Sequence, residues 1–80
     1  MTYWQAMQGA YTSGGVRRSS WVEGVFVYQG VIDMENQGDP KNDQSPYSYE
    51  YRGDILNSNG VLTKYIASSD DQSATDWDYI

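Results

Sequence analysis

The chain has 80 residues, a net charge of −6, and neither cysteine nor histidine. At this length it forms one small domain, residues 1–80, with a thin core. Small domains often gain stability from disulfides, metal ions or self-association, and without cysteine and histidine the chain is left with self-association. The same absence removes thiol nucleophiles and imidazole acid–base catalysis, and the acidic charge argues against extended binding to DNA or RNA, which depends on neutralising phosphates.

The first predicted element is an N-terminal helix. Thr2 and Gln5 have the spacing of a capping box, in which each side chain bonds a free backbone N–H of the first turn. Gly14 is predicted to end the helix, because glycine adopts the left-handed C-terminal conformation without steric cost. The large apolar residues at helical spacing, Trp4, Met7 and Tyr11, are flanked by Ala6 and Ala10 and predict the face that packs into the core.

Two strands are predicted next, over Val16–Arg18 and Val25–Ile32. Both faces of the second strand are apolar, which predicts that it is buried on both sides. Residues 36–46 are polar, contain Gly and Pro, and have no apolar period. We therefore expect an exposed, mobile loop there.

The second half of the chain predicts three further strands. Alternating tyrosines over residues 47–51 predict a strand with three rings on one face, and Asn57–Gly60 is a turn signal that predicts a hairpin. Ser69 and Gln72 have capping-box spacing and predict one short helical turn, and Trp77–Ile80 predicts a terminal strand. The predicted fold class is α+β, with one N-terminal helix packed on a small antiparallel sheet of about five short strands.

Any bound phosphate must use one of only five cationic side chains: Arg17, Arg18, Lys41, Arg52 and Lys64. Arginine suits phosphate best, because its planar fork donates two parallel hydrogen bonds. Arg17 and Arg18 point to opposite faces if they lie on a strand, so at most one faces a given pocket. The alternative is that one arginine forms an ordinary salt bridge with Asp71 or Asp76, and both roles can coexist.

Two tryptophans and a group of aspartates complete the candidate chemistry. Trp21 can either stack on a base or fill the small core, and the sequence leaves both open, whereas Trp77 is expected to anchor the terminal strand in the core. The acidic side chains near the C-terminus lack the pattern of an EF-hand loop and better suit hydrogen bonds to ribose hydroxyls or to arginine: Asp70, Asp71, Asp76 and Asp78.

The overall acidity has three possible origins: a solvated surface, mimicry of nucleic acid towards a basic partner, or a cation site. No apolar run approaches the roughly 20 residues that span a bilayer. The first residues also lack the basic and apolar regions of a secretion signal, so we expect an intracellular protein without membrane contact.

The two ends of the chain together resemble a known family. A helix with Trp4–Met7 is followed by Val16–Trp21, Gly24 and the strand Phe26–Tyr28, and the pattern Asp-x-x-Ala-x-Asp-Trp closes the chain. This arrangement resembles the second-type Thoeris anti-defence proteins, which are small phage proteins, over nearly the whole chain apart from residues 33–46. The matching positions are Arg18, Trp21, Gly24, Phe26, Asp71, Ala74, Asp76 and Trp77.

The resemblance implies a homo-oligomeric sponge, a tetramer, that acts in the cytoplasm of the infected bacterium. Such a protein binds signal nucleotides of the cyclic ADP-ribose type without cleaving them, and some family members also hold cyclic oligonucleotides at separate sites. It is not an enzyme and uses no cofactor or metal. The candidate ligand-binding residues are Arg17, Arg18, Trp21, Gly24, Phe26, Lys64, Asp71 and Asp76; Lys64 stands near a position where family members often have Pro-Trp.

Two other functions are compatible with the residues. The chain could be an acidic interaction protein that mimics nucleic acid and blocks a basic host protein, which predicts salt-sensitive protein binding and indifference to nucleotides. It could also be a hydrolase that works with two carboxylates, but the Asp-rich end offers no obvious apolar setting for one of them.

Overall fold

The computed structural model describes residues 1–36 and 47–80. In chain order the elements are α1 (Tyr3–Ser13), β1 (Val16–Arg18), β2 (Val25–Asn36), β3 (Tyr47–Ser58), β4 (Val61–Lys64), α2 (Ser69–Ser73) and β5 (Trp77–Tyr79). The strands form one antiparallel sheet in the order β4-β3-β2-β1-β5. The predicted α+β fold is confirmed, although β2 and β3 are longer than expected, at 12 residues each.

The loop predicted over residues 36–46 falls almost wholly outside the described residues. Asn36 ends β2, paired with Tyr47, and the remaining ten positions are not described. Within the described residues, no helix is long and apolar enough to span a bilayer.

Both ends of α1 follow the sequence prediction. The Thr2 hydroxyl accepts a hydrogen bond from the Gln5 backbone N–H at 3.3 Å, and the Gln5 side-chain oxygen accepts one from the Thr2 N–H at 2.9 Å. Gly14 follows the helix with φ of 87°, the left-handed conformation that glycine adopts most readily. The capping box and the glycine stop are therefore confirmed.

The predicted packing face of α1 is wrong for its two large aromatic residues, because Trp4 is 68% exposed and Tyr11 is 77% exposed. Met7 does pack against the core, and the flanking small residues Ala6 and Ala10 are buried. Small side chains allow the helix backbone to approach the sheet closely. At Gly9 the approach is tightest, since an added Cβ would lie 2.5 Å from a ring carbon of Tyr79.

The core lies between α1 and one face of the sheet, which we call the helix face. Val16, Val27 and Trp77 are almost completely buried there, together with Ala6 and Ala10 of the helix. The prediction that the second strand is buried on both sides is wrong, because α1 covers one face only. Val27 is the only fully buried residue of β2 among its described side chains.

The turns that connect the later elements are formed by local side chains. Asn59 and Gly60 both have positive φ, 53° and 93°, as a type I′ turn requires, and the Asn57 side chain accepts a hydrogen bond from the Gly60 N–H at 2.7 Å. The predicted hairpin is confirmed. The cap of α2 is one residue earlier than predicted: Ser68, not Ser69, accepts a hydrogen bond from the Asp71 N–H at 3.1 Å.

Trp77 is confirmed as the core anchor of the last strand. Its ring lies 5.2 Å from that of Trp21 and 5.9 Å from that of Tyr3, and its indole N–H donates to the Asp71 carbonyl at 2.9 Å. The backbone N–H of Trp77 also donates to the Met1 carbonyl at 3.2 Å. One side chain thus connects the helix, β5 and the segment that contains α2.

Replacing Trp77 by alanine is expected to destabilise the protein strongly. Loss of a buried tryptophan leaves a cavity and costs about 3–5 kcal/mol of unfolding free energy. Urea unfolding at a fixed chain concentration measures this. Trp4→Ala is the matched control, because Trp4 is largely exposed and its loss should cost about 1 kcal/mol or less. Equal losses in the two variants would contradict the assignment of Trp77 as the anchor.

Candidate functional site

The structure distributes the eight predicted ligand-binding residues over three places. Arg18, Trp21, Asp71 and Asp76 lie together on the helix-face side of β1. Arg17, Gly24 and Phe26 line a pocket on the opposite side. Lys64 ends β4 at the far edge of the sheet, with β3 and β2 between it and β1. Because neighbouring strand residues alternate, Arg17 and Arg18 face opposite sides as predicted.

Arg18 is held by two carboxylates from the C-terminal part of the chain. Its Nη1 lies 3.1 Å from Asp71 Oδ1 and its Nε lies 3.0 Å from Asp76 Oδ1. The remaining carboxylate oxygens are also bonded, because the Tyr65 hydroxyl donates to Asp71 at 2.8 Å and the Ser19 hydroxyl donates to Asp76 at 2.8 Å. We call these five residues the Arg18 network.

The network keeps its charges at neutral pH. Partial burial alone would raise the pKa of Asp71, but hydrogen bonds from Tyr65 and Arg18 outweigh it and the pKa is lowered. The hydrogen bonds from Ser19 and then Arg18 lower the pKa of Asp76, and the bonds to Asp76 and Asp71 raise the pKa of Arg18. Arg18 is therefore the arginine that forms the salt bridge predicted as an alternative to phosphate binding. A phosphate would have to compete with two carboxylates for it.

Trp21 packs against the edge of the core. Its ring is partly buried and meets Trp77 and Tyr65 edge to face, at centroid distances of 5.2 Å and 6.2 Å. These contacts correspond to the core alternative for Trp21. Direct ligand contact by Trp21, Arg18, Asp71 or Asp76 stays a prediction.

Arg17 lies on the wall of a pocket of about 450 Å³. This volume is within the range of about 300–1,000 Å³ that is typical of small-molecule sites. The pocket is built from β1, the turn before β2 and the end of the chain, and it is lined by Arg17, Glu23, Gly24, Val25, Phe26, Tyr79 and Ile80.

Two glycines shape this pocket. Gly24 has φ of 91°, and a Cβ on it would lie 2.3 Å from the Asn59 side-chain oxygen. Its carbonyl accepts a hydrogen bond from the Asn59 N–H at 3.1 Å, which joins the pocket rim to the β3–β4 turn. At Gly15 a Cβ would lie 2.8 Å from Ile80 and 3.0 Å from Phe26, so these apolar side chains meet over a bare backbone.

Arg17 differs from Arg18 in its partners. The Arg17 Nη2 donates to the Trp21 carbonyl, and its Nε is buried with no hydrogen-bond partner among the described residues. Those residues include no carboxylate within 4.0 Å of the Arg17 guanidinium, although Glu23 lines the same pocket. An unpaired buried donor costs about 1–3 kcal/mol. Arg17 can therefore turn towards an anion without breaking an ion pair.

Sequence reasoning missed four residues of the pocket: Glu23, Val25, Tyr79 and Ile80. The last two could have been found from the pairing of the terminal strand with β1, which places Tyr79 opposite Val16. Lys64 does not join either group within one chain; its ammonium lies 5.1 Å from the centre of the Tyr51 ring. No group of three acidic side chains suited to a metal ion occurs within residues 1–36 and 47–80.

Comparison with known proteins identifies a family. The profile of a family described as Tad2-like, Thoeris anti-defense 2-like domain, matches residues 1–80. Neither a curated protein sequence nor a solved structure matches the chain significantly.

The Arg18 network predicts loss of stability in acid. The folded pKa of Asp71 is lowered, so the unfolded chain binds the proton first and the unfolding free energy falls as the pH drops below about 4. Asp71→Asn should be less stable than wild type at neutral pH and approach it at low pH. Asp70→Asn is the control, because Asp70 is exposed and adjacent; it should keep the wild-type slope. Unfolding curves measured over this pH range test the prediction, and parallel curves for wild type and Asp71→Asn would refute it.

Proposed function

The chain belongs to the Thoeris anti-defense 2-like family, and on that premise we propose that it binds and sequesters nucleotide immune signals of the cyclic ADP-ribose type without cleaving them. The proposal includes a phage origin, action in the cytoplasm of the infected bacterium, and a homo-oligomer, a tetramer, as the working form. A signal is silenced when most of it is bound, so affinity below the signal's working concentration and slow release are the whole mechanism.

One observation carries the proposal: Arg17 stands on the wall of a pocket of suitable volume and has no carboxylate partner within residues 1–36 and 47–80. The other two arginines are engaged, since Arg18 bonds Asp71 and Asp76, and Arg52 bonds Glu50 at 3.3 Å. A guanidinium that forms no ion pair with the described part of its chain is the group best suited to a pyrophosphate, which accepts two parallel hydrogen bonds from it.

The rest of the pocket suits the other parts of such a nucleotide. Phe26 offers aromatic surface for a base, and Gly24 lets a ligand approach the backbone at the rim. Glu23 can accept hydrogen bonds from ribose hydroxyls. The net charge of −6 does not prevent anion binding, because charges further away than about 8–10 Å are largely screened at physiological salt.

Within one chain the pocket supplies one cationic side chain, Arg17, whereas the pyrophosphate of the proposed ligand carries at least two negative charges. Further donors would come from a neighbouring copy, and Lys64, which ends an edge strand away from the pocket of its own chain, is one candidate. This is why we include self-association in the proposal. Binding of cyclic oligonucleotides at a separate site is a further part of it.

Titration calorimetry with a panel of cyclic ADP-ribose isomers and cyclic di- and trinucleotides tests the proposal. We expect tight binding of at least one cyclic ADP-ribose isomer and a loss of about 10- to 100-fold in affinity for Arg17→Met, since a hydrogen bond to a charged group contributes about 1.5–3 kcal/mol. Arg52→Met is the matched control, because Arg52 lies on the exposed part of β3 and its side chain is 74% exposed. Its affinity and both melting temperatures should stay near wild type.

The chemical state of the nucleotide released from the complex distinguishes a binding protein from an enzyme. Heating the complex should release the nucleotide chemically intact, as mass spectrometry can establish. A hydrolysed product would move the protein into the enzyme class. Failure of the whole panel, together with salt-sensitive binding to a basic protein, would instead support the nucleic-acid mimic.

A further inference from the structure

The sheet has a second face that is covered by neither of the two described helices, α1 and α2. Register and alternation place it opposite the helix face, and we call it the open face. Its described apolar side chains on β2, β3 and β4 include Phe26, Tyr28, Ile32, Met34, Tyr51 and Leu62. Ile55 is the only residue of this face that is fully buried among those described, and Leu62 remains 42% exposed.

The open face extends along an arm formed by residues 28–36 of β2 and 47–54 of β3. Within this arm the described side chains of the opposite face are mostly polar or charged: Gln29, Asp33, Glu50, Arg52 and Asp54. A two-stranded hairpin is marginally stable on its own in water and needs its apolar face covered. At about 3.3 Å per residue the arm is about 30 Å long, so the uncovered apolar strip is substantial.

A pair of glycines makes the open face flat. Gly30 and Gly53 are directly opposite each other in the register. A Cβ on Gly30 would lie 2.7 Å from a Tyr28 ring carbon, and a Cβ on Gly53 would lie 2.9 Å from the Tyr51 hydroxyl. The two tyrosine rings therefore lean over the glycines instead of standing away from the sheet, as aromatic side chains do when they shield bare backbone in strands. The result is an aromatic surface without a projecting ridge.

The distribution of charge indicates what covers this surface. The described side chains of the open face on β2, β3 and β4 include no carboxylate, whereas Asp33, Glu50 and Asp54 lie on the opposite side of the arm. Two copies that each carry a charge of −6 repel one another over most of their surface. They can approach through the β2, β3 and β4 part of the open face without burying a described acidic group, which would be costly. Asp78 is on the same side of the sheet but on the edge strand β5, opposite Arg17. A basic partner would be drawn to the acidic side of the arm instead.

We propose that the open face is the surface on which a second copy of this chain packs, face to face and related by a two-fold axis. A two-fold contact requires one patch that is complementary to itself, and a flat aromatic surface meets that requirement. Among the described side chains of this face on β2, β3 and β4, the one charged group is Lys64, on the edge strand beside the Tyr51 ring. Phe26 belongs both to the open face and to the Arg17 pocket, so the second copy borders that pocket. The inference adds a location to the oligomer of the proposed function, and it does not depend on which ligand is bound.

The solution mass of two neighbouring variants tests the proposal. Ile32 points to the open face, whereas Val31 points to the opposite side and is 45% exposed. Ile32→Asp should lower the mass measured by sedimentation equilibrium, to that of a 9.1 kDa monomer if this face is the sole contact or to half the wild-type assembly if a second contact exists. Val31→Asp should keep the wild-type mass.

A second pair of variants guards against misfolding. Leu62→Asp changes the open face, and Val61→Asp changes the opposite side at a neighbouring exposed position. Circular dichroism shows which variants are folded, and the masses are compared only within a pair in which both variants are folded. A monomeric wild type, an unchanged mass for the folded open-face variants, or equal dissociation of both members of a pair would overturn the proposal.

The test of the interface and the test of the proposed function can fail independently. A wild-type oligomer that dissociates in Ile32→Asp but binds no nucleotide supports the interface and removes the proposed function. A monomeric wild type that binds a cyclic ADP-ribose isomer does the reverse.

Discussion

Burial of the Trp77 side chain is the interaction on which the rest of the structure depends. The described residues include only seven buried apolar side chains, and Trp77 is the largest of them. Its strand pairs with β1, its ring packs near Tyr3 of α1, and its indole N–H bonds the backbone at Asp71. The position of Arg18 and of its carboxylate partners follows from this anchoring, because Arg18 is directly opposite Trp77 in the register.

The two adjacent arginines show how one strand can serve two purposes. Arg18 faces the helix side and holds together segments that are 53 and 58 positions apart in the chain. Arg17 faces the other side, where the Trp21 carbonyl accepts its hydrogen bond and no described carboxylate forms an ion pair with it. The carboxylates of the network pair with one of the two arginines. In an acidic chain with five cationic side chains, this separation leaves Arg17 available for the anion of the proposed function.

Features encoded by local chemistry could be predicted from the sequence. The capping box at Thr2, the glycine at position 14 and the Asn-Gly turn at residues 59–60 each depend on residues within one turn, and all three occur in the structure. The packing face of α1 was not predictable from residue size, because the helix lies so close to the sheet that alanine and glycine, not Trp4 or Tyr11, face it.

The arrangement of the candidate site needed tertiary information. Sequence reasoning predicted that Arg17 and Arg18 face opposite sides, but it left open which of them pairs with the aspartates. The folded sheet places Gly24 and Phe26 with Arg17, and Asp71 and Asp76 with Arg18. Burial on both sides of β2 was predicted from its apolar composition. Composition alone does not reveal that one layer of helix is too little to cover both faces of a sheet.

Trp21 is shared between the two sides of β1. Its carbonyl accepts a hydrogen bond from the Arg17 guanidinium, and its indole ring packs against Trp77 and Tyr65 on the other side. If Arg17 turns towards an anion, that carbonyl loses its donor, and the surroundings of the partly buried Trp21 residue change. Indole emission responds to such changes of surroundings, so the chain contains its own optical reporter of pocket occupancy.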